Sequence, residues 1–427
     1  MAATISTYLN ILKTRYYDRM RSAVFSGHVL LTELRKRSPG GNERLGVLPG
    51  LKAKSVRLPR NRGWGREISF DIHTGPNFGI GARAAHHSAT TGYMPTPGNQ
   101  SFVEGKLLSK HYYGTAEIDG SLIDASDGDE AAAMRALDSE MKFMPDQIRS
   151  QINIDLYGDG TGKLADVTAS SSGTTITVDS THKFIEGQPI VIAAADGTGA
   201  VERTITAINA ASKQITVNSA TSVTAASDIF RAGVHNTNVS SEYGNACAGM
   251  QQIVSDTFDY AGLDRSELEY VRTRAGMYSV NKTDYDPALF EDVFFDAKKR
   301  GNGKPSLIIC DHNFYKYTGE LLYPQGRWQL NQKTFSIGYP TLYVHDVPMV
   351  RDPACPPWMA LVLDLDSFEL GIERELSLVS EDKAEMVRKA GPNGEMCDAY
   401  QFAFCTRLNL LCNNPAANSK IIINPAA

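Results

Sequence analysis

Four short stretches of this chain hold residues whose types and spacing could do chemistry. Tyr157 to Leu164 reads YGDGTGKL. A phosphate-cradling loop needs Gly, four residues, Gly-Lys and a hydroxyl residue, because successive backbone N–H groups surround the phosphates while the hydroxyl holds magnesium. Here Tyr157 stands where the first glycine belongs and Leu164 where the hydroxyl belongs, and the preceding residues read as helix rather than strand. The spacing predicts a helix end closed by a left-handed Gly158, with GDGTG as a flexible exit. Cys310-Asp311-His312 sets a thiol beside an imidazole, but no second base in a matching loop accompanies them. A strand running into a helix capped by Asp311 accounts for the triplet. The six cysteines, at 247, 310, 355, 397, 405 and 412, form no CxxC pair. They read as reduced thiols and not as a metal site, and Cys405 and Cys412, in one apolar strand-like run, as buried. His86-His87 would point to opposite faces of an extended segment. Catalytic, metal and cofactor residues are therefore all read as none.

The elements that would position these residues are clearer. At 427 residues, 42% hydrophobic and 21% charged, the chain can bury a substantial core in two or three domains or in one elaborate fold with insertions. Nothing at its start resembles a secretion signal, and no run of about eighteen apolar residues suggests a membrane span. Residues 1–66 carry 14 Lys and Arg against 3 Asp and Glu, a charge of +11, leaving −16 on the rest of a chain whose net charge is −5. Arg15, Arg19, Arg21, Arg35, Arg60 and Arg62 are spread along that arm. This suits contacts with acidic surfaces of neighbouring copies better than one compact nucleic-acid patch.

EISFDI (67–72) alternates as a strand does, and SFVEGKLLSKHYYGTAEIDG (101–120) is a second extended run, together a long two-stranded loop carrying Lys106 and Lys110. Met134, Leu137, Met141, Met144, Ile148, Ile152 and Leu156 recur at helical spacing over 130–157, with Pro145 placed to kink the rod. Residues 166–232 are rich in Thr, Val, Ile and Ser with Gly and Asn turns, predicting a small inserted β domain. After Gly233 the texture is α/β. DPALFEDVFFDAKKRG has Asp286 as cap and Gly301 as terminator, SLIIC is a buried strand, NFYKYTGELL a helix, and TLYVHDVPMV and WMALVLDL continue the pattern as strands. Finally CDAYQFAFCTRLNLLCNNPAANSKIIIN alternates over a long strand that NNPAAN ends.

That order of parts, and above all INIDLYGDGTGKLADV and DAYQFAFCTRLNLLCNNPAANSKI, resembles the major capsid proteins of tailed bacteriophages, whose Hong Kong 97-type fold is shared with encapsulin shells. The resemblance implies an α+β fold with these parts: N-terminal arm 1–66, extended loop 67–118, peripheral domain with spine helix 119–165, inserted β domain 166–232, axial domain 233–375, and a return to the peripheral domain over 376–427. It implies self-assembly into hexamers and pentamers of an icosahedral head shell around packaged double-stranded DNA, in a virion assembled in the host cytoplasm. The implied partners are further copies of the chain, a separate scaffolding protein, a portal and a decoration protein. Inter-subunit contact would fall to the six arginines above with Lys106 and Lys110. Some relatives weld a loop lysine to a late asparagine, for which Asn409, Asn413 and Asn414 are the candidates. An encapsulin enclosing protein cargo is the alternative within the fold, and a soluble α/β enzyme with 67–118 as its lid the alternative outside it.

Overall fold

A computed structural model describes Leu30, Leu31, Leu34 and residues 67–82, 94–119, 144–232, 244–267, 273–322, 342–379, 387–390 and 396–425. The chain divides into two compact units. One combines Met1–Gly63, Ser109–Cys247 and Leu370–Leu410, and the other Trp64–Leu108, Ala248–Glu369 and Leu411–Ala427. Among the described residues no helix is long and apolar enough to cross a membrane.

β1 (Glu67–Gly75) pairs antiparallel with β2 (Ser101–Leu108), from Glu67 opposite Leu108 to Gly75 opposite Ser101. Among the described residues this sheet has no third strand. The extension is shorter than the sequence suggested. At Lys110 the chain begins β3 (Lys110–Asp119), which pairs with a late strand instead of with β1. The alternation of 101–119 is continuous, so a change of partner in mid-run leaves no local signal.

In the first unit, helix α1 covers 144–156 of the helical pattern, with Met144, Ile148, Ile152 and Leu156 buried. Met134, Leu137 and Met141, and any kink before Pro145, lie outside the described residues. α1 lies close over β3 because position 114 is glycine. A Cβ there would stand 2.8 Å from Ile148 Cδ1 and 3.0 Å from Met144 Cγ. Six strands follow: β4 (Lys163–Asp166), β5 (Thr175–Thr177), β6 (Pro189–Ala194), β7 (Val201–Asn209), β8 (Gln214–Val217) and β9 (Ser227–Arg231). Their order is β4-β9-β6-β7-β8-β5, and its two ends meet where Val167 bridges Val178. The sheet thus closes into a small barrel, leaving no unpaired edge. Its alternation works out as a filled interior: Leu164, Val167, Ile176, Val178, Ile190, Ile192, Ile205, Ile215, Val217 and Ile229 form one buried cluster.

The second unit is built on a six-stranded mixed sheet. After the one-turn helix α2 (Met250–Ile253) come β10 (Gly276–Asn281), α3 (Leu289–Gly301), β11 (Leu307–Cys310), α4 (His312–Leu322), β12 (Leu342–Val344), β13 (Val347–Arg351) and β14 (Met359–Leu363). In the first unit, β15 (Phe368–Leu378), β16 (Val387–Ala390) and β17 (Met396–Cys412) form a four-stranded sheet with β3, in which β17 is central. β18 (Ser419–Asn424) completes the six-stranded sheet, whose order is β10-β18-β14-β11-β13-β12. β11 and β14 are buried at every residue, which is why their sequences are unbroken apolar runs.

Three local expectations change here. TLYVHDVPMV is a hairpin, not one strand: His345 and Asp346 take φ of 47° and 65°, turning β12 back on β13. Two left-handed residues make the tight turn whose twist suits a hairpin, and without the usual Asn-Gly it was unreadable. The terminator of α3 is Asn302 at φ 49°, whereas Gly301 serves close packing, since a Cβ there would meet Ala417 N at 2.5 Å. The final strand does not stay with residues 376–410. β18 lies between β10, which it parallels, and β14, which it opposes, so its residues share a sheet with the segment assigned to the axial domain. Pairing between positions some 140 apart has no signature along the chain.

Candidate functional site

Of the residues proposed for inter-subunit contact, Arg15, Arg19, Arg21, Arg35, Arg60 and Arg62 lie outside the described residues, as do His86 and His87. The two lysines have different surroundings. Lys106, on β2, is exposed, and its ammonium stands 3.7 Å from Glu104 while its backbone N–H donates to Ala261 O at 2.9 Å. Lys110 is on β3 rather than the extension, and its ammonium donates to the Gly244 carbonyl at 2.5 Å. Burial lowers the pKa of Lys110 from the usual lysine value. Among the asparagines, Asn409 is buried and Asn414 Nδ2 donates to Gly301 O at 2.7 Å, while Asn413 is exposed. Lys106 and Asn413 thus remain at the surface, Asn409 is buried, and Lys110 and Asn414 are half-buried and hydrogen-bonded within the chain.

CDHNF behaves as a strand end and a cap. Cys310 Sγ donates to Val350 O at 3.6 Å, and burial pushes its thiol well above the usual range. Asp311 Oδ2 accepts the N–H groups of Asn313 and Trp358, each at 3.1 Å, and His312 Nδ1 faces Arg351 Nη1 at 3.3 Å. The thiol is turned inward and the imidazole outward, so the geometry assembles no nucleophile and base. Cys247, Cys310, Cys355, Cys405 and Cys412 are all free and buried. Among the described residues no three His, Cys, Asp or Glu side chains are grouped to hold a metal.

GDGTGK forms a hydrogen-bonded corner. The left-handed glycines are Gly160 and Gly162, both at φ 85°, and Gly158 is not one of them. Asp159 Oδ1 accepts the N–H of Thr161 at 3.0 Å and its hydroxyl at 2.5 Å, the local bonding that makes Asp a turn residue. The Lys163 ammonium, far from facing a phosphate cradle, sits among carboxylates: Asp166 at 2.7 Å, Asp228 at 3.8 Å and Asp159 at 4.0 Å. Burial works against its charge, but the hydrogen bond and ion pair with Asp166, then Asp228 and Asp159, raise its pKa.

Asp166 and Asp228 are register partners on β4 and β9, where the chain enters and leaves the barrel. Burial, then the hydrogen bond with Asp166, pushes Asp228 up to about 6. Asp166 itself is held low against the cost of burial, chiefly by its hydrogen bond to Lys163. Nearby, Tyr112 Oη donates to buried Asp155 Oδ2 at 2.9 Å and accepts the Cys247 N–H at 2.9 Å. Burial raises the Asp155 carboxyl, and raises the Cys247 thiol to about 12. Sequence reasoning named neither cluster. Each joins residues from separate elements, and only the motif around Lys163 hinted at one.

No protein-family model matches the chain, and no curated protein does. Among solved structures it is similar to a chain of the cyanophage A-1(L) capsid asymmetric unit, at 12% identity, covering 84% of this chain and 88% of that one with a TM-score of 0.48. It is similar to a chain of the capsid of a native GTA particle, at 9% identity over 85% and 86% with a TM-score of 0.44. It is also similar to a chain of the holo-SrpI encapsulin complex from Synechococcus elongatus PCC 7942, at 7% identity over 76% and 77% with a TM-score of 0.39.

Proposed function

We propose that this chain is a major capsid protein of the Hong Kong 97 type, a shell subunit rather than an enzyme. Its copies would form hexamers and pentamers of an icosahedral head enclosing double-stranded DNA, assembled in the host cytoplasm with a scaffolding protein and a portal, and with a decoration protein on the finished shell.

The observation that carries this reading is the two-stranded extension β1–β2. At its described far end Phe78, Ile80 and Met94 are 79%, 86% and 77% exposed, and Phe102 and Leu108 on β2 are half exposed. A single hairpin is marginal in water, and large apolar side chains collected on one are stable where another surface covers them. Burial of apolar area supplies roughly 25 cal/mol per Å², so a neighbour lying under this hairpin would both order it and bind it. Each of the two units has a conventional packed core, which suits a subunit whose loops and arm do the joining. Summed over several partners per copy, contacts of this kind make a strong shell from weak pieces. The basic arm and Lys106 would add contacts to neighbours, and an acidic remainder would tolerate packed DNA without reading its sequence.

The test is electron microscopy of the full-length protein expressed alone and with its candidate scaffold, followed by nuclease treatment of the particles. Closed shells or rings of six and five subunits are expected, with nuclease-protected DNA in particles from infected cells. Shells holding protein and no DNA would transfer the reading to an encapsulin. A monomer under every condition would overturn both.

A further inference from the structure

Helix α3 presents two stripes. Phe290, Val293 and Ala297 are buried in the core of the second unit, with Leu289 and Phe294 packed beside them. The opposite stripe, formed by residues 291, 292, 295, 298 and 299, is exposed throughout, and its one apolar member, Phe295, is 67% exposed. Around that ring the charges are ordered. Asp292 and Glu291 lie three and four residues before it, and Lys298 and Lys299 three and four after it. Reversed about Phe295 the stripe becomes its own complement, with 292 meeting 298 and 291 meeting 299.

We propose that this stripe is a two-fold contact between two copies of the chain. α3 of one copy lies antiparallel on α3 of the second, the two Phe295 rings touch, and Asp292 faces Lys298 and Glu291 faces Lys299 in both directions.

An acidic first turn and a basic last turn are also what a lone helix prefers, because they answer its dipole. That preference does not explain a phenyl ring at the centre of the solvent-facing stripe. Residues three and four apart share one face of a helix, so the ring and all four charges form a single patch. The other charges of the helix are already engaged: Asp296 accepts the Tyr278 hydroxyl at 2.5 Å and pairs with Arg300 at 2.8 Å. Glu291 also lies 3.6 Å from His345 Nε2, whereas no ion pair within the chain holds Asp292, Lys298 or Lys299 among the described residues. A patch complementary to itself under reversal fits an isologous dimer contact, in which the same residues serve both sides. Antiparallel pairing also sets each helix N-terminus beside a C-terminus. Two helices of this length bury little area, so the contact is weak alone and persists where copies are held together. Its persistence rests on the proposed shell, although its geometry does not.

Disulfide trapping in the full-length chain tests it. Phe295→Cys is expected to give a covalent dimer under mild oxidation, whereas Lys316→Cys, at an exposed position of α4, and the unsubstituted chain do not. In the Phe295→Cys background, Asp292→Lys and Lys298→Asp should each lower the rate of trapping by about tenfold. The double variant Asp292→Lys/Lys298→Asp should return it to within about twofold of the parent, as expected for coupled partners. Trapping at position 295 no faster than at 316, or no recovery in the double variant, overturns the proposal. Particles that assemble without trapping sink this contact and leave the shell reading standing. Trapped dimers from a chain that forms no particles do the reverse.

Discussion

At the scale of single residues, the informative groups are buried polar ones whose partners come from distant segments. Tyr112 stands between Asp155 Oδ2 and the Cys247 N–H. Replacing it with Phe leaves a buried carboxylate and a backbone donor short of a partner, at a cost of about 1–3 kcal/mol. The urea midpoint should fall with an unchanged slope, and an unchanged midpoint would mean that the phenol is dispensable. Asp228 makes a pH prediction. Its folded pKa, about 6, lies above the usual carboxylate value, so the folded barrel binds its proton more tightly than the unfolded chain. Its contribution is complete below the ordinary carboxylate range and is lost as pH rises through about 6. Asp155 and Asp179, both raised by burial, act with the same sign, whereas lowered Asp166 acts with the opposite sign below that window. Asp228→Asn should therefore raise the melting temperature at pH 7.5 and flatten its decline between pH 5 and 7. A profile parallel to the parent's would refute the assignment.

At the scale of elements, close approach and closure decide what local pattern leaves open. Gly301 touches the backbone of the short turn at Ala416 and Ala417, and Asn414 reaches back to its carbonyl. Gly301→Ala should destabilise by about 1–3 kcal/mol through overpacking, despite the better helix propensity of alanine. Chemical denaturation reads the result, and a gain in stability would show that the contact can relax. The barrel depends on its filled interior. Ile215 is fully buried within that cluster, and Ile215→Ala should cost about 2–5 kcal/mol. Hydrogen exchange should report that loss in strands β4 to β9, and uniform protection matching the parent would contradict it. Of these features, the apolar alternation of β5 and β8 was legible because each strand turns one face into the interior and the other away from it. The closing bridge from Val167 to Val178 was not, because it depends on twist accumulated around the ring.

At the scale of the whole molecule, the apolar end of the extension is what the shell reading stands on. Ile80→Asp with Met94→Glu changes exposed side chains only, so folding stability should move by less than about 0.5 kcal/mol. Assembly should nevertheless fall sharply, as sedimentation and particle counts would measure. Normal particles from this variant would remove the extension from the assembly contacts. Loss of folding along with assembly would mean that these side chains support their own subunit.

From the sequence alone came the helical stripe ending at Leu156, the β-rich texture of 166–232, the buried run SLIIC, the strand within WMALVLDL, and the failure of YGDGTGKL as a phosphate loop. All are local: periodicity, turn residues and spacing are properties of neighbours along the chain. The tertiary structure decided which strand pairs with which. It took Lys110 off the extension and onto the edge of β17, folded TLYVHDVPMV back on itself, and set β18 beside β10 and β14. It also gathered Lys163, Asp166 and Asp228 where the chain enters and leaves the barrel. Pairing of that kind is chosen by the burial of faces contributed by remote segments. A side chain's neighbours across a sheet are therefore not its neighbours in sequence, and the chemistry they make together becomes visible only when the fold brings them into contact.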